Sequence, residues 1–200
     1  MATYSVFISD VFGTVRPISK LTDVVNQLKG FFDPIARAAG FADGAQVIVL
    51  AAELVVDDRF LAVHFIPDEL SAIEKFANGP GAPLLAGRTL IRTENGTVQT
   101  LSEVRGLGHN AEILAKLVFH ECMHNKLSLS GDQLHPGPSF VNPLLGLASP
   151  ELDQTTNMTP LNQAAMVAAL NIPRKQWPGV ALFLAQRRIR RDSGDPFWNL

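Results

Sequence analysis

The sequence predicts an α+β domain: a mixed, twisted β-sheet packed against a layer of helices, with an irregular C-terminal segment that ends in helices. Three observations predict it. Short runs rich in β-branched and aromatic residues recur in the first half of the chain. Two long stretches carry apolar residues at helical spacing instead. Between two of the strand-like runs stands Asn95-Gly96, the strongest short-range signal for a β-hairpin.

Taken in order, Tyr4–Phe12 reads as a strand closed by Gly13 and Pro17. Leu21, Val24, Val25, Leu28, Phe31 and Phe32 mark a helix, and Asp33-Pro34 looks like an N-cap and first-turn pair. A kinked or double helix ending at Gly40 is therefore predicted. Gln46–Val56 is nearly all apolar, as expected of a central strand buried on both faces. A turn at Asp57-Asp58 leads into a strand over Arg59–Ile66, then a short helix over Asp68–Phe76. Arg88–Arg92 and Thr97–Val104 are the arms of the hairpin. Asn110 is a credible N-cap for a helix over Ala111–Leu129, which holds no Gly or Pro and stops at Gly131. Residues 131–159 contain four prolines and three glycines without periodicity, and irregular segments of that length are usually functional. Thr159-Pro160 opens a helix to about Ala169, and Val180–Arg191 is a last helix whose basic end suits a helix C-terminus.

At 200 residues the chain suits one domain, with residues 1–129 forming sheet and motif helix and 130–200 a loop-rich, helical subdomain. Hydrophobic residues make up 46% and charged residues 18%, which excludes a disordered chain. A net charge of −2 gives no global field to recruit nucleic acid, and no apolar run has membrane-spanning length. The N-terminus lacks the pattern of a secretory signal, and Cys122 has no disulfide partner within the chain. Both point to the cytoplasm, or to export without a classical signal peptide.

The helix predicted over Ala111–Leu129 carries His120-Glu121-Cys122-Met123-His124, an H-E-x-x-H motif. At about 1.5 Å rise per residue the two imidazoles lie roughly 6 Å apart along one face, where both can reach one Zn²⁺. Glu121 is rotated by about 100° from His120, beside such an ion and not on it, as a general base needs to be. Ile113, Leu117, His120 and His124 continue one apolar stripe, so the helix should be largely buried. Cys122 suits core packing better than ligation. A catalytic zinc needs a third protein ligand and an open position. His135, beyond the Gly131 turn, is favoured; Asp132, Glu151, Asp153, His64 and His109 are the other options.

This pattern resembles the zincin metallopeptidases. His120–His124, then Gly131, then His135 is similar to the H-E-x-x-H-x-x-G-x-x-H motif of the metzincin branch, with the glycine and third His delayed by several residues. Asn157-Met158-Thr159-Pro160 resembles that branch's Met-turn. The resemblance implies a zincin-like sheet and helix layer, and zinc held by His120, His124 and His135. It also implies Glu121 as general base and later proton donor, Met158 as an apolar floor, and a peptide or protein substrate. An extended substrate could add to the edge of the Arg88–Val104 hairpin. Two other expectations are compatible with the same residues: a zinc-binding pseudoenzyme or interaction protein, and a zinc hydrolase of a non-peptide amide or ester.

Overall fold

The computed structural model describes residues 3–10, 13–50, 57–66, 87–106, 110–128 and 160–176. Its elements are β1 (Thr3–Ser9), α1 (Ile18–Ala38), β2 (Gly44–Leu50), β3 (Leu61–Ile66), β4 (Gly87–Glu94) and β5 (Thr97–Arg105). They continue with α2 (Ala111–Leu127), α3 (Pro160–Leu170) and the short β6 (Lys175–Gln176). The architecture is α+β with one mixed sheet, ordered β2-β1-β3-β5-β4. β1, β2, β3 and β5 run parallel, and β4 pairs antiparallel with β5 at the edge of the described sheet. β6 pairs with Gln99 and Thr100 of β5. Since β4 already occupies the other side of β5, β6 continues on the side of β3.

Side-chain alternation puts one face of the sheet against the helices. Tyr4, Val6 and Ile8 of β1, Val63 and Phe65 of β3 and Val104 of β5 are buried on that face. They meet Val24, Leu28 and Phe32 of α1, Leu114, Val118 and Phe119 of α2, and Met166 and Leu170 of α3. The Phe119 ring lies 4.9 Å from Phe32 and 5.7 Å from Phe31, centroid to centroid, which fastens the two long helices together.

Three readings change. Of the two forms expected for the first helix, the double one is excluded: α1 is one continuous helix with Pro34 inside it. An interior Pro costs a helix about 3 kcal/mol. Phe32 and Ile35 are both fully buried on either side of it, and their packing outweighs that cost. Asp33 caps nothing: its carboxylate accepts from Arg37 Nε at 2.9 Å and from the backbone N–H of Ala45 at 3.0 Å, tying helix to β2. Secondly, among the described residues β2 is an edge strand and not a central one, with Gln46 and Val49 exposed. The all-buried strand is β3, between β1 and β5. Thirdly, α2 stops at Leu127, where Ser128 takes a left-handed conformation (φ 54°), short of the predicted glycine. The predicted elements over 68–76, 131–159 and 180–191 lie outside the described residues.

The start of α2 is as the sequence predicts. Asn110 Oδ1 accepts from the N–H of Ile113 at 2.9 Å, and Glu112 sits in the first turn. Asn110→Ala should therefore destabilise the chain by about 1 kcal/mol, read from its urea midpoint, while Asn110→Ser should cost little.

Candidate metal centre

α2 is buried on every side from Leu114 to Lys126, because it packs on α1, α3 and the sheet at once. Within it the one-turn spacing stacks His120 above His124. Their rings are nearly perpendicular, and the two Nε2 atoms lie 3.0 Å apart. Two ligands on a tetrahedral zinc, each about 2.0–2.1 Å from it, would be separated by about 3.3 Å. Both imidazoles thus present the same nitrogen to one point, and the pair fits a shared ion with little adjustment. Without an ion, one Nε2–H···Nε2 hydrogen bond accounts for the same contact. Among the described residues no group of three His, Cys, Asp or Glu converges as a complete metal site. His135, with Asp132, Glu151, Asp153, His109 and Met158, lies outside the described residues.

His64 is described and does not join the pair. It alternates with Val63 and Phe65, so it points to the sheet face away from the helices. It is buried there, and among the described residues its Nδ1 makes no hydrogen bond. Burial pushes its pKa down to about 4, so it is neutral in the fold. The unfolded chain takes up this proton near pH 6.5, the fold only near pH 4. Stability is therefore retained above about 6.5 and lost as the pH falls toward 4, by up to about 3 kcal/mol. Urea midpoints measured across that window should fall in the wild type, and His64→Gln should flatten the decline.

Glu121, one residue from His120, turns toward the hairpin as helical rotation requires. It is 2% exposed. Thr89 of β4 donates to its Oε2 at 2.7 Å. Gly87, two residues earlier on the same face of β4, leaves the room that carboxylate occupies. A Cβ on Gly87 would stand 2.7 Å from Glu121 Oε1 and 3.0 Å from its Cγ. Sequence reasoning missed both residues, although a signal existed. The Asn95-Gly96 turn has φ of 51° and 74° and fixes the register Thr89↔Ser102, and strand parity then puts Gly87, Thr89 and Ser102 on one face.

Two further groups hold the end of the motif helix. Asn125 meets Thr100, Ser102 and Gln176 in a buried amide network. Lys126, also buried, donates to the carbonyls of Arg59, Leu170 and Ile172 at 3.0, 3.3 and 2.9 Å. Cys122 is a free thiol within the apolar core, its pKa raised by burial, in keeping with a packing role.

No protein-family model matches the chain, and comparisons with curated proteins and with solved structures likewise find no match. No described helix is long and apolar enough to cross a membrane.

Proposed function

We propose that this chain is a zinc-dependent metallopeptidase in which His120, His124 and His135 hold the ion and Glu121 is the general base. The observation that carries the reading is the convergence of two Nε2 atoms at 3.0 Å on a buried helix, with a carboxylate as the residue between the turns. Burying two imidazoles and a carboxylate side by side is costly, and a shared cation offsets that cost. Zinc, when bound, supplies a nucleophilic water near neutral pH and polarises a carbonyl.

The chain's own residues do the rest. Glu121 takes a proton from water and returns it to the leaving amine. Its carboxylate is held against β4, and among the described residues β4 is the edge of the sheet. An extended peptide can add as a further strand outside β4, which would bring its backbone alongside the base. Peptide or protein is therefore the proposed substrate class.

Metal analysis and substrate profiling test the reading together. The full chain should carry about one zinc, and a His120→Ala/His124→Ala variant should carry none. His135→Ala should lose most of its affinity. Cleavage of a peptide library should stop on chelation and return with added zinc. Full zinc content with no cleavage anywhere in the library would overturn the peptidase reading and leave the ion a structural one. Failure to bind zinc at all would remove the centre.

A further inference from the structure

We propose that Thr89 is a positioning residue for Glu121, the last donor in a hydrogen-bond relay that starts at backbone groups of the sheet and runs through Gln176, Asn125 and Ser102. The proposal rests on the reading of Glu121 as the general base.

The direction of the relay follows from counting hydrogens. The N–H of Ala62 donates to Gln176 Oε1 at 3.3 Å, and Gln176 Nε2 donates to the carbonyl of Arg174 at 2.8 Å. These two backbone groups fix which end of the Gln176 amide is oxygen. Asn125 faces it reciprocally: its Oδ1 accepts from Gln176 Nε2 at 3.2 Å and its Nδ2 donates to Gln176 Oε1 at 3.1 Å. Thr100 Oγ1 donates to the same Oδ1 at 2.9 Å. The second hydrogen of Asn125 Nδ2 therefore goes to Ser102 Oγ, 3.0 Å away.

Ser102 accepts there, so its own hydrogen must leave in another direction. Thr89 Oγ1 is 2.9 Å away, while the Glu121 carbonyl is at 3.4 Å. Thr89 is then left with one hydrogen and two acceptors on Glu121, the carbonyl at 3.0 Å and Oε2 at 2.7 Å. An ionised oxygen at the shorter distance is the stronger partner. From Asn125 onward, one hydrogen of each group thus points toward the carboxylate: Asn125 to Ser102, Ser102 to Thr89 and Thr89 to Glu121. The polarity makes Oε2 an acceptor and anchors that oxygen on Thr89, and Gly87 leaves the space in which the carboxylate lies. A base held in one orientation avoids reorganisation at the reacting step.

The test reads the carboxylate directly as well as turnover. The antisymmetric carboxylate stretch of Glu121 can be isolated by infrared difference against Glu121→Gln, in the zinc-free and the zinc-loaded full chain. Thr89→Val, which keeps shape and removes the hydroxyl, should shift that band in both forms, and Thr89→Ser should return it. In the zinc-loaded chain Thr89→Val should lower kcat about tenfold with KM within about twofold, and Thr89→Ser should stay within about threefold of wild type. Should Thr89→Val not fold, Thr89→Ala relieves crowding at the two Glu121 oxygens and carries the same expectation. An unmoved band, or a moved band with unchanged kcat, overturns the positioning role while leaving the peptidase intact. A moved band in a chain that cleaves no peptide sinks the peptidase reading and keeps the Thr89 contact.

Discussion

Glu121→Gln is expected to keep its zinc and to lose peptide hydrolysis by about 10²–10⁴-fold. The substitution is nearly isosteric, and the amide oxygen can still accept from Thr89, which donates to Oε2 at 2.7 Å in the native chain. Folding and the His120–His124 pair should therefore be undisturbed. What disappears is a group able to accept a proton from water near neutral pH. Zinc content by atomic absorption, melting temperature and cleavage of the best library peptide separate these effects. A variant that cleaves as fast as the wild type removes Glu121 from the mechanism. A variant that loses zinc instead shows the carboxylate to be part of the ion's own shell.

Lys126→Ala is expected to give the largest loss of stability, about 3–5 kcal/mol. Lys126 is wholly buried in the last turn of α2, where the helix dipole favours a cation. Its ammonium satisfies the carbonyls of Arg59, Leu170 and Ile172 and lies 5.8 Å from the centroid of the Tyr4 ring. Burial, reinforced by the nearby Arg174, pulls its pKa down to about 8, so it stays mostly charged at neutral pH. Truncation leaves three carbonyls short of a donor and a cavity where the stem lay. At roughly 2–4 °C per kcal/mol for a chain of this size, the melting temperature should fall by about 10 °C. Lys126→Met refills the volume but not the hydrogen bonds, so it should recover only part of the loss. A change below about 1 kcal/mol in Lys126→Ala would show that the three carbonyls find water instead.

The features legible in the sequence share one property: their geometry is local. His120 and His124 face each other because four residues make one turn, and Asn110 caps because its side chain reaches only three residues on. Asn95-Gly96 forms a turn because both residues tolerate positive φ. The misread segments needed information from elsewhere in the chain. An apolar run such as Gln46–Leu50 says that a strand is packed, not how many strands flank it, and among the described residues β2 pairs with β1 alone. Asp33-Pro34 is a credible helix start in isolation. The burial of Phe32 and Ile35 on both sides decides that the helix runs through it.

The same division applies to the candidate centre. By itself the sequence determined the three motif residues, their order around one helix and the hairpin that follows the central strands. Only the tertiary structure decided that Glu121 rests on Gly87 and Thr89, that His64 faces the opposite side of the sheet, and that Gln176 closes on Asn125. Spacing along one helix is set by the backbone's own repeat. A contact between Thr89 and Glu121, or between residues 51 positions apart such as Asn125 and Gln176, exists only after strand pairing and core packing have offset the entropy of closing the chain between them.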